Sequence, residues 1–379
     1  MKYKSLLVFS VLLAAIAVSC SKENASGNMP SGTEGVGEIF ILNEGAGDVQ
    51  SSLDYMDLKT GTLKADVFKQ ANPEIALGMG KWGNDLAIVN DKLWVLMNGS
   101  NIVLVLNPAT FKLEKTLDID SPRFIEADAN YAYMTSYGAA VYGGDPTNGY
   151  LYRIKLSDYS MDKVEVGPQP EGVAILDDKI YVANSGGYNY VHDNRVMAVD
   201  KSSFTVTATY ELGVTNLFLM KSASDRLWVN TYGESSWSQD GAGNWIESPS
   251  APKALVSLKA DGSDQKTVEG VHASKMTLAG TDIYAFGNDA EMTGGSALCL
   301  YKVNTVTSAV TKTAFSGSAM SRVVNPYGIA VTPSGDILIS DTGDPALYTA
   351  NCKLYCFDSS LKFKWQVEVG PCAGHILAR

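Results

Sequence analysis

The chain is short of positive charge. Its 379 residues hold 30 Lys and Arg against 41 Asp and Glu, a formal net charge of −11. An acidic surface repels phosphate backbones, so nucleic acid is not an expected partner. Long helical periodicities are missing as well, which points away from helical folds. No Cys-x-x-Cys pair occurs among the five cysteines, so a zinc or redox motif has no support. No Gly-rich phosphate loop leads into a helix. No nucleophile–His–Asp set and no paired carboxylates can be assigned by spacing. An enzyme, a resident metal and a cofactor are therefore not expected. Only three histidines are present, His192, His272 and His375, in separate segments; a metal site needs two or three to converge.

What is there is apolar, turn-rich and aromatic. The hydrophobic share is 45% and the charged share 19%, with 35 Gly and 19 Tyr. That composition fits a folded all-β body. The first twenty residues differ from the rest. "MKYKSLLVFSVLLAAIAVSC" has Lys2 and Lys4, an apolar stretch from Leu6 to Val18, then small residues before Cys20. The stretch is short for a membrane span and has the layout of an export signal. "AVSC" resembles a bacterial lipobox, with Ala17 where leucine is usual. The expected organisation is a signal over 1–19, a lipidated Cys20 with a flexible Gly/Ser/Asn-rich tether to residue 37, and a body over 38–379.

The body repeats one phrase. A strand ending in a small polar residue recurs seven times: "EIFILNEG" at Glu38, "KLWVLMNG" at Lys92, "YAYMTSYG" at Tyr131, "KIYVANSGG" at Lys179, "RLWVNTYG" at Arg226, "DIYAFGND" at Asp282 and "DILISDTG" at Asp336. Each has a second strand after it, such as "RVMAVDK", and most a third, such as "TLKADVF" or "TVTATYEL". A fourth strand precedes the landmark: "GNDLAIV", "PRFIEA", "PEGVAIL", "TNLFLM", "HASKMTL" and "PYGIAV". The first landmark lacks one, and "PCAGHIL" at the C-terminus has no landmark after it. The two ends complement each other. Small four-stranded sheets need cover on both faces, and a closed ring supplies it. The fold expected is an all-β, seven-bladed propeller closed by the C-terminal strand on the first blade.

"FILNEG", the Pro-x-Gly strands and turns like "VDKSSFTVTATYELG" resemble the YncE-like propeller lipoproteins of Bacteroides-type bacteria, over nearly the whole body. That group includes the cobalamin-binding surface lipoprotein BtuG. The resemblance implies an outer-membrane, surface-exposed lipoprotein that captures a corrinoid for a TonB-dependent transporter. The alternatives are another large solute, a glycan or a peptide, or a structural surface-layer role.

Candidate ligand contacts come from the loops. The loops after the landmarks are long and share one face, whereas the turns before them are short. Unequal faces suggest function, since loops that only connect strands stay short. Tyr137, Tyr142, Tyr188, Tyr190, Trp237, Trp245 and Tyr348 fall in or beside the long loops, with His192. The slot after the Pro-like residue of the fourth strand, aligned as Asn84, Arg123, Glu171, Asn216, Ala273, Tyr327 and Ala373, varies as a ligand floor does; Trp82 stands just outside it. Arg123, Glu126 and Glu171 are expected at the central channel. "DTGDPA" at Asp341 and "NDAE" at Asn288 carry hard oxygen ligands but match no calcium loop. Cys352 and Cys356 lie four apart on one strand, too far to bridge each other.

Overall fold

A computed structural model describes residues 37–138, 147–187, 191–241, 243 and 245–379. Seven four-stranded antiparallel sheets are found among them. The innermost strands are Gly83–Val89, Pro122–Ala127, Pro170–Leu176, Leu217–Ala223, Ala273–Ala279, Pro326–Val331 and Ala373–Ala378. We number the blades 2 to 7 in that order, with the last strand belonging to blade 1. Each inner strand contacts those of the neighbouring blades, which closes a ring around a central channel.

The ring is sealed by the chain ends. Ile39 pairs with Ala378 and Leu42 with His375. Arg379 and Glu38 exchange backbone hydrogen bonds of 2.7 and 3.0 Å. The seal therefore joins the first and last strands of the body, as the complementary ends of the repeat require.

Burial follows position in the blade. In the landmark strands almost every residue is buried, as in Lys92–Met97 and Lys179–Asn184. Both faces are covered because sheets lie on either side. The outermost strands alternate instead: along Val206–Glu211 every second residue is exposed. One face there meets the neighbouring blade and the other meets water. Apolar side chains fill the seams; Trp94 and Val105 of blade 2 meet Ile125 and Met134 of blade 3. Burying one such side chain contributes roughly 1.5–3 kcal/mol.

Three local expectations are corrected. "ADVF" was expected to continue a strand, yet the strand stops at Lys64 and Val67–Ala71 is a short helix capped by Asp66. The segment Gly233 to Pro252 reads as a loop in sequence but pairs as a hairpin, Glu234–Gln239 with Trp245–Ala251. Blades 5 and 6 begin their inner strands at Leu217 and Ala273, later than "TNLFLM" and "HASKMTL" suggest. Cys299, Cys352, Cys356 and Cys372 are free thiols. Among the described residues no helix is long and apolar enough to cross a membrane. Cys20 and its flanks lie outside the described residues.

Candidate functional site at the channel mouth

Every inner strand carries a bulge within its first residues. Its pairing with the landmark strand slips after Gly83, Pro122, Pro170, Leu217, Ala273, Pro326 and Ala373. A bulge sets one extra residue against its partner strand and re-aims the side chains there. The residues that follow these positions are Asn84, Arg123, Glu171, Phe218, Ser274, Tyr327 and Gly374. The sequence alignment put Asn216, Ala273 and Ala373 in the slot for blades 5, 6 and 1, and the ladder corrects it. No proline stands at the first residue of those three strands (Pro371 lies two places ahead of the last), and apolar pattern alone does not fix that residue.

Asn84, Arg123, Phe218, Ser274 and Tyr327 line one cavity of about 460 Å³ at the channel mouth. A second slot meets them from the landmark strands. The residue just past each landmark includes Glu44, Asn98 and Tyr232, which line the same cavity. Blade-to-blade bonds fix this rim. Asn84 Nδ2 donates to the Arg123 carbonyl at 2.6 Å, Thr135 Oγ1 to the Glu171 carbonyl at 2.7 Å, and Asn230 Nδ2 to the Ala273 carbonyl at 3.0 Å.

Two polar clusters hold the floor. In the first, Arg123 forks onto Glu171, with Nε to Oε2 and Nη2 to Oε1 both at 2.9 Å. The Tyr137 hydroxyl donates to the same carboxylate. Its ring centroid lies 4.5 Å from the guanidinium. Burial opposes the Arg123 charge, but Glu171 more than offsets it and holds the guanidinium well above its ordinary pKa.

In the second cluster, Glu44 accepts from Tyr327 at 2.6 Å and from His375 Nε2 at 3.1 Å. Burial pushes His375 down to about 4, and the nearby Lys275 adds to that. The imidazole is therefore neutral at pH 7, and its bond to Glu44 is a hydrogen bond rather than an ion pair. Burial also lowers Lys275, whose ammonium donates to the Gly374 carbonyl at 2.7 Å. Burial alone would raise Glu44, but His375, Lys275 and Tyr327 bring it below the usual value. Glycine at 374 lets Glu44 and Tyr327 keep this arrangement, because a Cβ there would strike the Glu44 carboxylate and come within 2.8 Å of the Tyr327 ring. Asp85 lies 3.9 Å from His375 Nδ1, and burial raises it to about 6. Glu126 pairs with Lys221 at 3.1 Å and not with Arg123.

Aromatic rings frame the opening. Tyr232 stacks on Phe218 at 4.0 Å between centroids, and Phe124 meets Phe218 edge-on at 5.7 Å. Across the ring, Trp82 is 50% exposed at a backbone φ of +53°. A bulky residue at positive φ is strained. A Cβ on Gly99 would lie 2.7 Å from the Trp82 ring, so that glycine is the ring's seat. The mouth thus presents two exposed aromatic faces from blades on opposite sides, above a floor of hydrogen-bonded polar groups.

The matched family profile spans residues 37–362. The chain belongs to the family described as "Domain of unknown function (DUF5074)". Solved structures with the same architecture include Kuenenia stuttgartiensis hydrazine synthase, at 11% identity and a TM-score of 0.56, covering 77% of this chain and 88% of that one. Apo AztD from Citrobacter koseri is similar at 13% identity and a TM-score of 0.52, covering 90% of this chain and 98% of that one. A second AztD structure from that organism gives 12% identity and a TM-score of 0.52, with 90% and 97% covered. At such identities the likeness establishes the fold alone. No curated protein matches the chain.

In this DUF5074 chain, Trp82, Asn84, Arg123 and Tyr327 come together at the mouth. Glu171 lies beneath them, paired with Arg123. Tyr137 was expected as an exposed loop ring, but it is 3% exposed and supports that pair. Asn216 and His192 line a neighbouring cavity rather than the mouth. Tyr348 is exposed at the rim of blade 7. Trp237 and Trp245 stand on the blade 5 hairpin, opposite Glu247 and Gln239. Tyr142, Tyr188 and Tyr190 lie outside the described residues. His272 bonds the Lys253 carbonyl at 3.1 Å, apart from the other two histidines. Among the described residues no three His, Cys, Asp or Glu converge to hold a metal. Asp341 is occupied by the backbone amides of Val324, Asn325 and Gly343, so it closes its own loop. Sequence reasoning missed Glu44, Lys275, Phe218 and Tyr232 as mouth residues. The signal for Glu44 and Tyr232 was present: both stand one place past the landmark.

Proposed function

We propose that this protein is a lipid-anchored, surface-exposed binding module that captures a large solute at the channel mouth. The observation that carries it is the convergence of Trp82, Tyr232, Tyr327, Asn84 and Arg123 on one cavity, on the face that also bears the long loops. Concave sites lined by aromatics with a few fixed polar groups are where solutes bind. Trp82 and Tyr232 approach from opposite sides, which suits a ligand with a broad apolar or ring face. Asn84, Ser274 and Lys275 offer hydrogen bonds along its edge. Arg123 is already paired with Glu171, whereas the Lys275 ammonium is held on a backbone carbonyl.

Within that class a corrinoid is the specific candidate, on the resemblance of the blade phrases to YncE-like lipoproteins. A corrinoid combines a flat macrocycle with an amide-bearing rim, which matches aromatic faces and fixed polar groups. Delivery would pass to a transporter in the outer membrane. Calorimetric titration of the body from Gly37 with cyanocobalamin tests the reading. We expect saturable binding at micromolar concentration or tighter, weakened by Trp82→Ala. No heat at micromolar concentrations rejects the corrinoid.

A further inference from the structure

A second cavity of about 560 Å³ adjoins the mouth and shares Tyr232 and Lys253 with it. Blades 4, 5 and 6 all build it. His192 comes from the loop after the blade 4 landmark, and Asn216 from the turn that leads into blade 5. Glu234, Pro249 and Ala251 come from the base of the blade 5 hairpin, and Glu291 from a short turn of blade 6. No single repeat could have specified it.

Its ionisable side chains are hydrogen-bonded or ion-paired within the wall. Glu234 Oε2 meets His192 Nδ1 at 2.6 Å, and its Oε1 accepts from the Thr215 hydroxyl. Lys253 pairs with Glu291. Hydrogen-bonding capacity is left over. A carboxylate has about four acceptor sites and an ammonium three donors.

We propose that this side cavity is a subsite for a hydroxyl- or amide-bearing arm of the solute whose ring face occupies the mouth. The inference rests on the reading of the mouth as a solute site. Tyr232 forms the shared wall, so the ligand straddles its ring, with the apolar part on the Phe218 side and the polar arm over Glu234 and His192. The arm's hydroxyls donate to the Glu234 and Glu291 carboxylates, and its acceptors take hydrogen bonds from Lys253. A ligand of this class is bipartite, and each half alone binds more weakly.

The test compares two corrinoids on the full-length protein: cyanocobalamin, whose nucleotide arm carries ribose hydroxyls, and cobinamide, which has the same ring without that arm. We expect cyanocobalamin to bind at least about tenfold more tightly, since one or two net hydrogen bonds are worth that much. Glu234→Gln and His192→Ala should each remove about five- to twentyfold of cyanocobalamin affinity and leave cobinamide unchanged. Equal affinity of the wild type for the two ligands overturns the subsite while leaving the mouth reading in place. Variant losses shared equally by both ligands also overturn it. Binding of neither ligand rejects the corrinoid reading, and the subsite with it.

Discussion

The two faces of the ring obey different rules. On the face away from the long loops, five blades close the outer hairpin with the same device. An Asp or Asn at the end of the strand that follows the landmark accepts from backbone amides just ahead: Asp57 from Lys59, Asn107 from Ala109, Asp200 from Ser202, Asn304 from Val306 and Asp358 from Ser360. In blades 3 and 5 a lysine holds that position, and Asp158 and Asp261 accept from Ser160 and Ser263 inside the turn. A left-handed residue completes each turn, from Gly61 and Phe111 to Leu361. Such side chains mimic a backbone turn, and here five stand at the same position. The loop face repeats nothing of the kind. Of the thirteen exposed large apolar residues among the described ones, ten lie there, and only Met161, Val306 and Val310 lie opposite. Uniform turns maintain the ring, whereas the varied loops are free to serve a ligand. The Arg123–Glu171 pair is the exception, being at the mouth but structural in its effect.

Substitutions on each face should therefore separate stability from binding. The largest expected effect is Glu171→Gln, which leaves the buried Arg123 charge unpaired; we expect a loss of about 3–5 kcal/mol, read by denaturant unfolding. An unchanged midpoint would show that the pair serves the ligand alone. Next comes Tyr232→Ala, which should weaken solute binding about tenfold to a hundredfold and shift the melting midpoint little, because the ring is partly exposed. A comparable loss of stability would place Tyr232 with the scaffold.

The third prediction concerns pH. Asp85 is raised to about 6 by burial, so it binds its proton in the folded state first, and stability falls as pH rises from about 4 to 6. His375 is lowered to about 4 by burial and by Lys275, so the unfolded state binds its proton first, and stability rises over about pH 4 to 6.5. Glu44, Asp85, Lys275 and Arg123 face His375, and Lys221, Glu126 and His375 face Asp85. The two slopes oppose each other in the wild type. Asp85→Asn removes its falling contribution, and the variant's stability should change between pH 4 and 6.5 by about 2–3 kcal/mol more in the rising direction than the wild type's. Parallel profiles for the two proteins would refute the raised Asp85. The smallest effect belongs to the opposite face. Asp200→Ala should cost about 1 kcal/mol and leave solute affinity untouched.

Much of the ring was legible because blades are local. The landmark strands, the fourth strands and the complementary ends all lie in linear order, and apolar pattern locates them. The mouth was half legible. Asn84, Arg123, Glu171 and Tyr327 stand where Pro or Gly marks the start of a strand, so alignment finds them. Phe218 was hidden because nothing in "VTNLFLM" marks where its strand begins. Tyr137 misled because an aromatic beside a loop looks exposed until the partner that buries it is known. The side cavity had no linear signature, since its residues come from three blades.

The sequence by itself determined the count of blades, the closure and the face that carries the long loops, because these depend on repeat order and loop length. Only the tertiary structure decided which side chains share the mouth. Seven bulges re-aim the first residues of the inner strands, and ring closure carries Glu44 and His375 of blade 1 against Tyr327 of blade 7 and Lys275 of blade 6. Contacts between chain segments hundreds of residues apart depend on that curvature, which no local pattern encodes.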